Sequence, residues 1–221
     1  MDRRSSSRSP PGTSLKIKYL TVYNFVSAAL WLIILGRVVL LLPLVGHAHV
    51  YGGVGEFAKW TQTGAVLEIL HSLFGLVRSP VSTTAMQVAS RLLLVWGIVD
   101  QFPKETATSP AYSSMLLAWS FTEVVRYGYF VGILRGKVPQ FLTWLRYNTF
   151  YILYPLGIFS EVWLIYHAIG PASKKKGIEW EWGLKGILLT YVPGAYILFT
   201  HMMGQRRRVT KGKQREGTTT T

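Results

Sequence analysis

The sequence predicts an all-α polytopic membrane protein, a bundle of about six transmembrane helices with disordered basic tails. Two observations predict it. Only 15% of the 221 residues are charged while 49% are hydrophobic, and the charges gather at the two ends and in short connectors. That distribution leaves several uncharged runs long enough for a helix to cross a bilayer, where backbone groups must find their hydrogen bonds within the segment.

The first run, residues 19–42, follows a basic stretch (Arg3, Arg4, Arg8, Lys16, Lys18) and so has the outline of a secretion signal. It is longer than the roughly 7–15 residues of a signal's apolar region, and Pro43-Leu-Val-Gly makes a poor cleavage site, so it reads as a retained helix. The second, 57–77, is interrupted by Gln62, Glu68 and His71. The runs 81–101, 111–134, 148–168 and 185–203 complete the set, each long enough to span with some tilt. The spans occupy residues 19–203, between basic tails at 1–18 and 204–221. Within the tails, the Ser/Arg/Pro-rich first 14 residues and the Lys/Arg/Thr-rich stretch from 205 hold too little apolar material to pack, and both read as disordered.

Basic connectors stay on the cytosolic side of a membrane. With six spans and both termini cytosolic, that side holds the N-terminal basic residues, Arg78, Arg135, Lys137, Arg146, Arg206, Arg207, Arg208, Lys211, Lys213 and Arg215. The opposite side holds Lys59, Lys104, Lys174, Lys175, Lys176 and Lys185, and the run at 174–176 is the one dissenter. A net charge of +14 suits nucleic acid in a soluble protein; here Lys and Arg flank apolar spans, where they set topology and meet membrane lipid, so no nucleic-acid partner is expected. With no cysteine in the chain, disulfides, thiolate catalysis and Cys-based metal sites are excluded, and five scattered His residues form no zinc pattern.

Ionisable groups within membrane helices mark functional sites by default. Here they are Arg37, Glu68, His71, Arg91, Glu123, Arg126, Glu161 and His167. Glu123 and Arg126, three apart on the fourth run, share a face as either a buried ion pair or a substrate-facing pair. Glu68 and His71 have the same spacing and read as lining a crevice. Arg91 and Arg37 can each hold an anionic group or pair with a carboxylate. Trp180 and Trp182 read as part of an interfacial aromatic belt.

The fifth run is the most informative. Tyr154 and Glu161 are seven apart, which places them within roughly 20° of one face and about 10.5 Å apart along the axis, room for a small reacting group between them. Pro155 withholds an N–H and Gly157 a side chain, which predicts a kink that opens space beside Tyr154. With the span starting after Arg146, Glu161 lies near the midplane, a place suited to a proton-transfer group.

The segment Tyr154-Pro-Leu-Gly-Ile-Phe-Ser-Glu161, with Leu145-Arg-Tyr-Asn148, Trp119-Ser-Phe-Thr-Glu-Val-Val-Arg-Tyr127, Ser90-Arg-Leu92 and the stretch Leu67 to Ser79, resembles the very-long-chain (3R)-3-hydroxyacyl-CoA dehydratase family, also called protein-tyrosine-phosphatase-like. The resemblance covers nearly all of the chain from Tyr19 to about Met203. It implies a multi-pass protein of the endoplasmic-reticulum membrane that dehydrates a 3-hydroxyacyl-CoA to the trans-2-enoyl-CoA in fatty-acid elongation, beside a condensing enzyme, a 3-ketoacyl-CoA reductase and an enoyl-CoA reductase. It implies catalytic roles for Tyr154 and Glu161 and supporting roles for Glu123 and Arg126; Gly157 and Arg91 are further supporting candidates. No cofactor is expected. The phosphatase label carries over to nothing, because such enzymes need a thiolate. From the chemistry, Glu161 is the preferred base and Tyr154 the acid, with the reverse open; Tyr154 or Arg126 can donate to a thioester enolate. Arg78, Arg91, Arg135, Lys137 and Arg146 are candidates to meet the CoA phosphates. The rival readings are a transporter or channel, and an inactive adaptor of a membrane complex.

Overall fold

The computed structural model describes residues 15–218, with side chains through Arg208. The basic residues Arg3, Arg4 and Arg8 of the expected N-terminal tail lie outside the described residues, as do the side chains of Lys211, Lys213 and Arg215. The described chain is helical: α1 (Leu15–Val45), α2 (Val50–Thr63), α3 (Val66–Leu73), α4 (Val81–Leu92, prolonged by a π-helical segment Leu93–Val99), α5 (Pro103–Thr106), α6 (Pro110–Leu134), α7 (Gln140–Asn148), α8 (Phe150–Lys176) and α9 (Ile178–Thr218).

Four of these are long and apolar enough to cross a membrane: Leu15–Val45, Val81–Val99, Phe150–Lys176 and Ile178–Arg208. They correspond to the first, third, fifth and sixth apolar runs. The remaining two runs differ for separate reasons. α6, at 25 residues, is about 37 Å long and so has the length. Its composition is more polar because it runs through the middle of the bundle, between α1 and α8, and buries Ser113, Ser120 and Glu123 against protein instead of presenting them to lipid. The run at 57–77 is not one helix. Its helix ends at Thr63, and the chain turns at Gly64-Ala65, where Gly64 N–H donates to Trp60 O and Leu67 N–H to Gly64 O, before α3 begins. The missing side chain of Gly64 lowers helix preference by about 1 kcal/mol relative to Ala. Together α2 and α3 still carry the chain from one end of the bundle to the other: Tyr51 meets Tyr112 at the start of α6, while His71 meets Tyr19 near the start of α1.

The helix ends follow local chemistry. α6 starts with Ser109 accepting from Ala111 N–H and Pro110 at the first helical position. It closes on Gly136, at φ 75°, with Lys137 N–H donating to Gly132 O and Gly136 N–H to Ile133 O, the hydrogen-bond pair of a left-handed helix stop. α9 runs on to Thr218, through the stretch from 205 where a disordered tail is expected. Residues 205–216 are mostly Gln, Arg, Lys and Glu, strong helix formers, so the helix extends readily from an already nucleated one.

The core is apolar and drawn from every long helix: Trp31, Ile34 and Val38 of α1, Leu94 and Ile98 of the π-helical segment, Met115 and Trp119 of α6, Leu164 and Ile165 of α8, and Leu184 of α9. The outer faces are apolar too. Phe25, Leu40, Ile152, Phe159, Leu189 and Val192 stand exposed, the surface that a lipid environment selects and water does not. Three contacts mark the ends of the bundle. Arg206 of α9 donates to the Tyr151 hydroxyl at 3.0 Å, and Lys16 reaches Gly75 O at 3.4 Å, so the basic connectors and both ends of the described chain share one end. Lys175 reaches Gln101 O at 3.4 Å at the other, which places the dissenting Lys174–Lys176 run at the end remote from Arg146.

Candidate active site

Two polar clusters lie inside the bundle, and they meet at one indole. The first gathers four charged side chains from three helices. Glu68 of α3 receives both terminal nitrogens of Arg126, at 3.0 and 2.8 Å, a bidentate pair. Arg126 Nε also donates to Glu123 Oε2 at 2.7 Å, and the other oxygen of Glu123 is held by Arg91 of α4. Tyr127 hydroxyl donates to Glu68. Two acids and two bases thus sum to zero charge around Glu123, which is 3% exposed. The charge balance is the physical condition for such groups to stay ionised away from water.

The sequence spacing of Glu123 and Arg126 foretells their pairing; it says nothing of Glu68, 58 residues from Arg126, or of Arg91. Glu68 and His71 take their hydrogen bonds from different partners. His71 Nε2 bonds the Tyr19 hydroxyl at 2.8 Å, while Glu68 turns to Arg126 because a guanidinium satisfies a buried carboxylate better than a neutral imidazole can. Arg37 lies apart from both clusters, over the Phe57 ring and within 3.3 Å of Gly53 O.

The second cluster is built on α8. Glu161 accepts from Trp119 Nε1 of α6 at 2.8 Å on one carboxylate oxygen and from the Tyr191 hydroxyl of α9 at 2.9 Å on the other. Tyr154, two turns earlier, donates to Ala195 O of α9 at 3.2 Å and stacks on Phe199 with ring centroids 6.0 Å apart. Tyr154 and Glu161 therefore share the α8 face that looks at α9 and make no hydrogen bond to each other, as a seven-residue separation on a helix requires. α8 passes through Pro155 as a continuous helix from Phe150. Gly157 faces Ala118: a Cβ there would lie 3.7 Å from the Ala118 Cβ, ordinary contact, so a side chain's absence is not what lets α6 and α8 approach. Beside it, Ser160 and Ser114 hydroxyls bond across the same helix pair at 2.7 Å.

Trp119 joins the clusters. Its N–H holds Glu161, and the Arg91 guanidinium lies over its ring, 4.9 Å from the centroid, while that same guanidinium pairs with Glu123. With its guanidinium engaged by Glu68 and Glu123, Arg126 is not placed to donate to a substrate on α8, and Arg91 has its charge met by Glu123. Of the residues expected to meet the CoA phosphates, Arg78, Arg135 and Lys137 are exposed, and the Arg146 guanidinium sits 4.6 Å over the Tyr129 ring. Sequence reasoning missed Tyr191 and Trp119 as neighbours of Glu161. Trp119 was visible within the fourth run's motif, whereas a tyrosine in an apolar span carries no signal that separates it from an interfacial aromatic.

Residues 62–212 match the family described as protein tyrosine phosphatase-like protein, PTPLA. The chain is 43% identical over 203 residues to the probable very-long-chain (3R)-3-hydroxyacyl-CoA dehydratase of Schizosaccharomyces pombe, covering 89% of this chain and 95% of that protein. It is 39% identical over 212 residues to the very-long-chain (3R)-3-hydroxyacyl-CoA dehydratase PASTICCINO 2 of Arabidopsis thaliana, with 90% and 95% covered. Against the very-long-chain (3R)-3-hydroxyacyl-CoA dehydratase 2 of Homo sapiens the identity is 33% over 209 residues, 88% and 82% of the two chains. No solved structure matches it.

Proposed function

The chain belongs to the protein tyrosine phosphatase-like, PTPLA, family, and from that premise we propose that it is a very-long-chain (3R)-3-hydroxyacyl-CoA dehydratase, a hydro-lyase of fatty-acid elongation. The observation that carries the reading is the placement of Tyr154 and Glu161 on one face of α8, each held by an atom of α9 or α6, in a chain whose relatives along nearly its whole length bear that name.

In the reaction we assign, the Glu161 carboxylate removes the proton alpha to the thioester, which the neighbouring carbonyl acidifies. The electron pair of that C–H bond forms the new double bond, and the bond from the beta carbon to its hydroxyl oxygen breaks. Tyr154 supplies the proton that lets the oxygen depart as water. Return of the proton from Glu161 to Tyr154, through solvent or product water, restores the starting state. Of the two groups a carboxylate is the better base near neutral pH, since an unperturbed phenol titrates near 10 and remains a donor. The chain's own residues supply both roles, and the scheme calls on no cofactor.

The same reading sets the surroundings. Six spans with both termini on the cytosolic side of the endoplasmic-reticulum membrane place Arg78, Arg135, Lys137 and Arg146 where the CoA phosphates arrive, while the acyl chain enters the bundle. Acyl-CoA is the substrate, and the condensing enzyme, the 3-ketoacyl-CoA reductase and the enoyl-CoA reductase of the elongation cycle are the partners that deliver and consume the acyl group.

The test is dehydration by the detergent-purified chain, read as trans-2-enoyl-CoA formed from 3-hydroxyacyl-CoA of several lengths. Glu161→Gln and Tyr154→Phe should each lower kcat by about 10²–10⁴-fold, the range for loss of a general acid or base. Near-parental turnover in both variants would end the assignment of the pair.

A further inference from the structure

The assignment of Tyr154 and Glu161 leaves a second phenol unused. Tyr191 donates its hydroxyl to Glu161 at 2.9 Å, shorter than the 3.2 Å hydrogen bond of the Tyr154 hydroxyl to Ala195 O. It does so from α9, the helix to which sequence reasoning gives no chemistry. Tyr191, Ala195 and Phe199 stand four residues apart and so form one stripe along α9. That stripe touches both members of the pair: Tyr191 holds Glu161, Ala195 O accepts from Tyr154, and Phe199 stacks on the Tyr154 ring.

We infer that Tyr191 is a positioning residue of the active site, which with Trp119 fixes the plane of the Glu161 carboxylate for proton abstraction. The inference rests on the dehydratase reading and extends it to a third helix. A glutamate has three rotatable side-chain bonds, and one donor on one oxygen leaves the carboxylate free to swing about that contact. Here the two oxygens are held from opposite partners, Trp119 N–H of α6 at 2.8 Å and Tyr191 O–H of α9 at 2.9 Å. The plane is then set by two helices that do not carry the glutamate. Each oxygen retains a second lone pair, so the arrangement orients the base without consuming its capacity to take a proton. Neither donor carries a formal charge, so Glu161 is held without being neutralised by an ion pair, in contrast to Glu123 between Arg91 and Arg126. A carboxylate that must gain and lose a proton every cycle is better served by the first arrangement than by the second.

A positioning role differs from a structural one in what it changes. Tyr191→Phe removes one oxygen and leaves the ring's packing. In the full chain in detergent, with 3-hydroxyacyl-CoA as substrate, kcat should fall about 10–100-fold, the usual loss when an outer-shell partner of a reacting group is removed. KM should stay within about twofold, because the hydroxyl acts on the base and not on bound substrate. Trp119→Phe should behave alike. The double variant should lose less than the product of the two single losses, since both donors act through one carboxylate. Thermal unfolding and size-exclusion profiles of the same preparations report the folded fraction. A kcat within twofold of the parent, a raised KM at unchanged kcat, or a loss that tracks the folded fraction would each overturn the inference. A parent that dehydrates while Tyr191→Phe is normal leaves the dehydratase reading standing; a parent that forms no enoyl-CoA removes both.

Discussion

Replacing Glu123 with Gln tests whether the four-charge cluster is a neutral structural unit. The substitution keeps the shape of the side chain and removes one negative charge from a buried group flanked by Arg91 and Arg126. The two arginines are not left alike. Arg126 keeps its bidentate pair with Glu68, while Arg91 loses the carboxylate it binds and keeps the Trp119 ring. Breaking a buried pair from one side typically destabilises by 3–5 kcal/mol, and Arg91, a quarter exposed, recovers some of that from solvent, so about 3 kcal/mol is expected. For a chain of this size 1 kcal/mol shifts the midpoint of thermal unfolding by about 2–4 °C, which gives a fall of about 6–12 °C for the detergent-purified protein. Adding Arg91→Gln removes the orphaned guanidinium and restores neutrality among the remaining groups. The double variant should therefore melt above Glu123→Gln alone, by a coupling of about 1–3 kcal/mol. A double variant that melts below the single one, with the two losses simply adding, would refute the argument that charge balance holds the cluster together.

Two glycines on neighbouring helices should respond oppositely to alanine. At Gly132 a Cβ would meet Lys137 O at 3.1 Å and Val138 Cα at 3.2 Å, backbone atoms of the helix stop that cannot move aside, so Gly132→Ala should destabilise by about 1–3 kcal/mol. At Gly157 the nearest atom is 3.7 Å away, and Gly157→Ala should be neutral or stabilising by up to about 1 kcal/mol through helix preference, with dehydration retained; melting curves and turnover of the two variants decide it. The absence of native cysteine makes topology directly readable. Lys175→Cys should be labelled by a membrane-impermeant thiol reagent from the side opposite to Arg146→Cys in sealed vesicles, and labelling of both from one side would overturn the placement of the 174–176 run.

What the sequence makes legible follows from which environment each residue meets. α1, α8 and α9 leave apolar faces exposed along much of their length, the faces that lipid selects as uninterrupted apolar runs, so these helices stand out in the sequence as such runs. α6 faces protein, where polar groups find partners, so the signal there weakens, and between α2 and α3 the break at Gly64 hides inside a mixture of polar and apolar residues. Within the site, the local pairs were readable because helical spacing fixes them. Glu123 with Arg126 and Tyr154 with Glu161 are of that kind. Glu68 with Arg126, Arg91 with Glu123, and Tyr191 with Glu161 join separate helices, and no periodicity along one helix encodes which side chain of another it meets.

The meeting of the two clusters at Trp119 bears on why so many charges sit beside Tyr154 and Glu161, the pair proposed to transfer protons. Arg91 spans both, its guanidinium held by Glu123 and laid over the indole whose N–H holds Glu161. A cation fixed over the ring polarises the indole and strengthens the donor it presents, and the cation is fixed only because Glu123 is in turn fixed by Arg126 and Glu68. The chain Glu68, Arg126, Glu123, Arg91, Trp119, Glu161 thus runs from α3 to α8 through hydrogen bonds and one ring contact, with charge neutral up to Arg91. A rigid, neutral cluster beside the glutamate gives it an oriented donor without placing a net positive charge on it, which would keep it from accepting a proton. On the proposed mechanism, variants that loosen the cluster should depress kcat through the indole while leaving KM in place.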